Sequence, residues 1–262
     1  MKQISTYCSH FVLPAGLLLL LLGCCPPFCP APPKCAPEIK TFYVVPQNTC
    51  AANPGQITVG WSTDATSVSI DVLGENNQQV KPTITGLGPS LEYILPPASI
   101  PKDPGEYKIQ LTAEKSGCAQ KTIDAKTIRL VGDAGVWIDF SFYDKCLPGV
   151  SECFNLAPFT TEVREELVSS SLLFSRARLN SFSCTGGTCT DVTPNTFQIC
   201  RNNQCMPFCF AGRCDFNRAM DVPRAWAENP YGQYLNMASV TGEPLEKNET
   251  ALINYSFHFV CR

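Results

Sequence analysis

Three pairs of cysteines in the second half of the chain share one spacing, with four residues between the members of each pair. The pairs are Cys184 with Cys189, Cys200 with Cys205, and Cys209 with Cys214. The middle of each segment suits a two-residue hairpin turn, formed by Gly186-Gly187, Asn202-Asn203 and Ala211-Gly212 respectively. Around such a turn, the two cysteines would form a non-hydrogen-bonded pair with Cα atoms about 4.5 Å apart, within reach of a disulfide. The spacing therefore predicts three disulfides, each within a hairpin.

The competing interpretation of these cysteines is a zinc site. Paired thiolate ligands of zinc are usually separated by roughly two to four residues, so the observed gap lies at the limit of that pattern. Histidine is scarce, since the chain contains only His10 and His258. His258 lies on a predicted strand, opposite to the aromatic face, where a solvated role is more typical than metal ligation. We therefore predict disulfides, no metal and no cofactor.

Cys24 ends an apolar segment and could carry a different chemistry. Residues 11–23 are apolar but shorter than the roughly 20 residues that a membrane span needs, and their length suits a secretory signal. The tetrad Leu21-Leu22-Gly23-Cys24 resembles the lipobox of bacterial lipoproteins. The resemblance implies cleavage before Cys24 and a lipid on its sulfur, which would anchor the chain to a membrane. The alternatives are an ordinary signal peptide cut near Gly23 and an uncleaved anchor, and each takes the chain out of the cytoplasm.

The predicted domain order begins with a signal peptide, residues 1–23, and a proline- and cysteine-rich tether, residues 24–37. The prolines of the tether remove backbone donors and favour an extended, stiff spacer. The residue after Cys24 is Cys25 rather than Asp. By resemblance to enteric lipoproteins, this implies the outer membrane of the cell envelope.

Residues 38–131 alternate apolar and polar side chains in short runs, which is typical of strands separated by turns. The predicted strands span residues 39–45, 56–62, 67–73, 80–85, 91–95, 106–113 and 121–131. Such a series fits an antiparallel β-sandwich. Residues 57–62, 65–70 and 104–113 resemble bacterial immunoglobulin-like domains of cell-surface proteins. The resemblance implies an immunoglobulin-like module that acts as a spacer or binding platform, and it transfers no catalytic residue.

The composition changes at residues 131–135, where arginine replaces lysine as the main cation and cysteine becomes more frequent. We place a domain boundary there and predict a disulfide-rich, mainly β domain over residues 132–262. Its first strand, 136–143, and its last, 252–261, are each apolar on one side and should share one core. The further predicted elements are a strand over 173–183, a helix over 161–170, and a short helix over 221–229 capped by Asp221.

The remaining cysteines determine how the two domains could be joined. In an immunoglobulin-like sandwich, Cys50 and Cys118 would lie at opposite ends, much farther apart than the usual Cα separation of about 6 Å. Cys35 precedes the first strand at the same end as Cys118, so we predict a Cys35–Cys118 bond. Cys50 would then bond across the boundary to Cys146, Cys153 or Cys261, which would make the protein a rigid stalk. The alternative is an atypical sandwich in which Cys50 meets Cys118.

Aromatic residues are the main sequence feature that indicates binding. Trp226, Tyr231 and Tyr234 lie close together on a segment that contains Pro230 and Gly232. Aromatic rings on such a loop can stack on sugars or anchor a protein partner, and the alternative is that they pack over the core. The net charge of −3 provides no basic surface for nucleic acid, so a protein or a glycan is the expected partner.

The chain contains none of the common catalytic motifs, such as a P-loop, Gly-x-Ser-x-Gly or His-Glu-x-x-His. We therefore predict a membrane-anchored envelope lipoprotein with a structural, adhesive or ligand-binding role and no enzymatic activity. The alternative is an exported carbohydrate-active or other hydrolytic enzyme that uses a pair of carboxylates. A concave pocket lined by Trp226 and two facing carboxylates would favour that alternative.

Overall fold

The computed structural model describes residues 35–187, 189 and 191–262. The predicted signal peptide, Cys24 and the tether up to residue 34 lie outside the described residues. Residues 35–262 form one compact unit. Its strands belong to several sheets that are mostly antiparallel, and the predicted mainly β fold class is confirmed.

The first module is a β-sandwich of two sheets. Its strands are β1 (Ile39–Val45), β2 (Asn48–Cys50), β3 (Thr58–Thr63), β4 (Ser67–Leu73), β5 (Ile84–Leu87), β6 (Ser90–Ile94), β7 (Gly105–Glu114) and β8 (Thr122–Val131). One sheet has the order β1-β3-β6, and the other has the order β2-β8-β7-β4-β5. Two short 3₁₀ helices, Glu75–Asn77 and Pro97–Ser99, lie in the connections.

Period-two alternation produces the core of this sandwich. On β4 and on the second half of β7, alternate side chains are buried between the sheets, as shown by Ile70 and Ile109 at 0% exposure. The strand predicted over 80–85 instead begins at Ile84. The reason is Pro82, which lacks the backbone N–H that a strand in a ladder uses.

The second module contains two larger sheets and one two-stranded sheet. Its strands are β9 (Val136–Asp144), β10 (Glu152–Cys153), β11 (Phe159–Val163), β12 (Leu172–Thr185), β13 (Val192–Arg201), β14 (Gln204–Phe210), β15 (Arg213–Cys214), β16 (Met220–Asp221), β17 (Gly232–Gly242), β18 (Leu245–Glu246) and β19 (Thr250–Cys261). The larger sheets have the orders β16-β12-β19-β9 and β11-β17-β13-β14-β15, and β10 pairs with β18. The helix α1 (Arg224–Glu228) precedes β17.

Buried aromatic side chains fill the second core. Phe174 on β12 packs against Phe257 and Phe259 on β19, with ring centroids 4.6 and 5.2 Å apart. Phe140 on β9 lies 5.0 Å from the Phe257 ring. The apolar strands predicted at the two ends of this module are therefore neighbours in one sheet, β9 beside β19, as the shared pattern suggests.

The helix predicted over 161–170 is wrong. Phe159, Thr161 and Val163 are buried while Thr160 and Glu162 are exposed, so β11 has a period of two. The short helix predicted over 221–229 is present only as Arg224–Glu228. Asp221 is not its cap, because this residue pairs with β12 in the two-residue strand β16 and Pro223 precedes the helix.

The disulfides include every pair expected from the spacing. The structure joins Cys184 to Cys189, Cys200 to Cys205, Cys209 to Cys214, Cys35 to Cys118, Cys146 to Cys153, and Cys50 to Cys261. Two of the predicted hairpins have the expected geometry, with the cysteines directly opposite each other and Cα distances of 4.0 and 4.1 Å. Their turn residues all have positive φ, as a type I′ turn requires.

The Cys184–Cys189 pair does not lie in a hairpin. β12 continues as far as Thr185 and pairs with β19, where Cys184 faces Ala251. The disulfide therefore closes a loop beyond the sheet. Gly186 fits that loop because a Cβ there would lie 2.4 Å from the Asn248 carbonyl oxygen.

β2 joins the two modules through hydrogen bonds on both of its edges. On one side it runs parallel to β8, the last strand of the sandwich. On the other, the Asn48 N–H donates to the Leu167 carbonyl (3.1 Å) and the Ser169 N–H donates to the Asn48 carbonyl (2.9 Å). The buried Thr49 hydroxyl lies 2.9 Å from the Ser169 hydroxyl. With the Cys50–Cys261 bond, these contacts fix the second module to the first.

Candidate functional site

Trp226 and Tyr234 are core residues in the structure. Trp226 on α1 is 1% exposed and Tyr234 on β17 is 0% exposed. Their rings meet edge to face at 5.4 Å, and Tyr234 packs in the same way on Phe257 at 5.2 Å. The expectation that these two residues bind a ligand is therefore corrected, because a ring with no exposed surface cannot stack on one.

Arg201, which the sequence pattern did not single out, fixes the loop around Tyr234. Its guanidinium lies 5.0 Å from the centre of the Tyr234 ring and donates to the phenol oxygen at 2.9 Å. It also donates to the Asn229 carbonyl at 2.6 Å. Burial raises the pKa of Tyr234 to about 12, although Arg201 acts in the opposite direction. The phenol is thus neutral at physiological pH and serves packing.

Tyr231 is the member of the predicted aromatic set that a ligand can reach. It is half-buried, and its hydroxyl donates to the Val168 carbonyl at 3.2 Å. Burial raises its pKa, and the carboxylate of Glu165 acts in the same direction. The ring lines a cleft of about 410 Å³ between the modules, which we call the junction cleft. Its other lining residues include Pro46, Gln56, Glu165, Glu166 and Ser170.

The junction cleft is built from segments that the structure holds firmly. Pro46 lies in the two-residue connection between β1 and β2, and Glu166 lies close to this connection, because the Gln47 N–H donates to the Glu166 carbonyl at 2.8 Å. Glu165 and Glu166 are consecutive and exposed, so both carboxylates come from the same wall of the cleft. Trp226 is not among the residues that line it. The junction cleft is therefore not a pocket lined by Trp226 and two facing carboxylates, which is the arrangement that would favour a carboxylate-pair hydrolase.

A second group of side chains lies on the outer face of the sheet that contains β9. Trp137 stacks on His258 with ring centroids 4.6 Å apart, and the Arg178 guanidinium lies 4.2 Å from the centre of the Trp137 ring. His258 Nδ1 is 2.8 Å from the Ser175 hydroxyl. Burial lowers the pKa of His258, and Arg176 and Arg178 lower it further. His258 is thus a stacked, half-buried residue rather than a solvated one.

The only metal-ligand grouping in the described part of the chain contains Cys184, Cys189 and Glu249. The two sulfur atoms are bonded to each other, so neither offers a thiolate. Within the same residues, no helix combines the length and the hydropathy that a membrane crossing would need.

Asp144, at the end of β9, is a buried carboxyl group. One oxygen accepts a hydrogen bond from the Lys145 N–H at 2.7 Å, and the other has no hydrogen-bond partner among the described residues. Burial raises the pKa of Asp144 and the Lys145 hydrogen bond only partly opposes this. Folding therefore disfavours the ionised form of Asp144 relative to the unfolded chain, and ionisation of this group destabilises the folded protein.

Replacing Asp144 by asparagine is expected to raise the free energy of unfolding by about 1 kcal/mol at pH 7, since the buried charge is removed while the Lys145 bond remains. Below the ordinary carboxyl pKa the gain should vanish, because the wild-type group is then neutral in both states. Urea titrations at pH 3 and pH 7 measure this difference. The control is Asp133→Asn at an exposed position, and an equal gain at both pH values would contradict the explanation.

Comparisons with known proteins add little to this description. No protein-family model matches the chain, and no curated protein matches its sequence. Among solved structures, a SusE-like protein is similar at 6% sequence identity, with an alignment that covers 84% of this chain and 96% of that chain. The TM-score is 0.22, a likeness too low to support an argument about function.

Proposed function

We propose that the chain is an exported binding protein of the cell envelope, anchored through a lipid on Cys24, that presents its second module in a fixed orientation. The observation that carries this proposal is the joint between the modules. The Cys50–Cys261 bond and the hydrogen bonds on both edges of β2 leave no flexible linker there. A rigid arrangement lowers the ordering cost of binding, because the surface is already in its bound orientation.

The junction cleft is the proposed binding site. Both modules contribute to it, so its shape depends on the joint. Glu165 and Glu166 offer only hydrogen-bond acceptors when ionised, and Tyr231 offers an aromatic surface with a polar tip. This combination suits a glycan, whose hydroxyl groups donate and whose ring faces stack. A protein segment rich in donors is the alternative, and the carboxylates disfavour nucleic acid.

Replacing Cys24 by serine is the experiment that tests the anchor. Serine lacks the thiol that would carry the lipid, so the variant should be released from membranes or remain as an uncut precursor. Fractionation, followed by mass spectrometry of the mature N-terminus, distinguishes these outcomes from wild type. The matched control is Cys25→Ser, which changes the neighbouring thiol and should behave like wild type. A Cys24→Ser protein that fractionates and migrates like wild type would show that the proposed anchor is wrong.

A further inference from the structure

β9 is a long strand with one edge unpaired. It pairs with β19 in a continuous register from Val136 opposite Phe259 to Asp144 opposite Ala251. No strand in the described part of the chain pairs with its other edge. An exposed edge of this kind offers a row of free N–H and C=O groups to any strand that approaches.

Four of the other edge strands carry features that hinder such pairing. β1 contains Lys40, has an irregular register and is followed by Pro46. β11 follows Pro158 and has five residues, and β15 and β16 have two residues each. β9 contains no proline, no basic residue and no bulge over its nine residues. Natural proteins usually block long edges with proline, lysine, a bulge or other charged residues. β9 lacks the first three and carries only Asp139 and the terminal Asp144 as charged side chains, which indicates an edge that is used.

The inner face of β9 is also incompletely covered. Ile138, Phe140 and Phe142 pack against the core yet are only partly buried. Beside the first half of the strand lies an open cleft of about 350 Å³, between Trp137–Asp139 and a mainly polar wall from the first module, with Glu106 on β7 and Arg129 on β8 among its residues. An added strand would therefore extend the sheet and cover apolar surface at once.

We propose that β9 of a second copy of this chain is the added strand, paired antiparallel with Phe140 opposite Phe140. The sequence of the strand is self-complementary about that residue. Trp137 would face Tyr143 on the outer side, and Ile138 would face Phe142 on the inner side. Asp139 would face Ser141, so no like charges meet. Such isologous pairing about a two-fold axis is the usual symmetry of homodimers, and aromatic cross-strand pairs stabilise it.

Two substitutions at Ser141 test this register in opposite directions. Ser141 is exposed, and its hydroxyl donates to Asn254 Oδ1 at 2.7 Å, a bond that both substitutions remove equally. Ser141→Asp places a carboxylate opposite Asp139 at two symmetric positions and should weaken the dimer about five-fold. Ser141→Lys places an ammonium there and should tighten it by a similar factor. Light scattering of the full chain in detergent, corrected for bound detergent, gives the dissociation constants.

The control for these variants is Thr41→Asp, on the exposed side of the edge strand β1, which should leave the dissociation constant unchanged. A wild-type chain that is monomeric at every concentration overturns the proposal, even if its free β9 edge binds a synthetic peptide with the β9 sequence. A dimer that responds to both Ser141 variants in the same direction, or that dissociates on Thr41→Asp, also overturns it.

Discussion

Replacing Cys50 and Cys261 together by alanine is expected to lower the free energy of unfolding by about 4–5 kcal/mol. The bond joins residues 211 positions apart, and the entropy that a disulfide removes from the unfolded chain grows with the length of the loop it closes. Denaturant titration under non-reducing conditions measures the loss. The matched control is the removal of Cys200 and Cys205, 5 positions apart, for which we expect about 2 kcal/mol.

The variant that lacks Cys50 and Cys261 also distinguishes the contribution of the disulfide to stability from its contribution to the position of the modules. The hydrogen bonds on both edges of β2 remain when the sulfur atoms are removed. We therefore expect small-angle scattering in the absence of denaturant to be unchanged, with the loss confined to unfolding. An expanded scattering profile would show that the disulfide alone holds the modules together, and equal losses for the long and short bridges would contradict the loop-length argument.

Replacing Trp226 by alanine is expected to cost about 3–5 kcal/mol, because it leaves a cavity where a buried indole packs on Phe174 and Tyr234. Trp226→Phe should cost much less, since the indole N–H has no hydrogen-bond partner among the described residues. Thermal and urea denaturation measure both effects. The control is Phe210→Ala, at an aromatic residue that is 77% exposed, for which we expect a change within about 0.5 kcal/mol.

Tyr231 lies on the same segment as Trp226, but its replacement should affect binding much more than stability. Tyr231→Ala removes an aromatic surface from the junction cleft and should abolish binding in a screen of glycans and envelope proteins, with a stability loss well below that of Trp226→Ala. If Trp226→Ala impaired binding while leaving stability intact, the assignment of Trp226 to the core would be wrong. If Tyr231→Ala left all binding unchanged, the junction cleft would not be the site.

Local chemistry explains what the sequence could predict. The hairpin disulfides follow from turn residues that tolerate positive φ, such as Asn202 and Asn203, and from a fixed spacing of the cysteines. The strands β9 and β19 follow from alternation alone. The helix predicted over 161–170 failed because Val163 and Leu167 match a helical period by chance, while the alternation of Phe159, Thr161 and Val163 is the pattern that burial follows.

Non-local geometry explains what the sequence could not predict. Three cysteines were equivalent candidates to bond Cys50, and only the path of β19 brings Cys261 to it. Trp226 and Tyr231 are both aromatic residues on one segment, and no local pattern tells which of them is buried. The stacking of Trp137 on His258 depends on the register between β9 and β19, which alternation leaves undetermined.

The connectivity of the disulfides would create an ordering problem during the export that we propose. As the chain emerges from its N-terminus, Cys50 is the next cysteine after Cys35. Its own partner, Cys261, emerges 211 residues later. Oxidation in order of emergence would join Cys35 to Cys50 and leave Cys118 with a wrong partner or none. In that order of oxidation, correct maturation would require exchange of early disulfides through mixed-disulfide intermediates. A host compartment that supplies an isomerase as well as an oxidant is the one in which this chain should reach its final form.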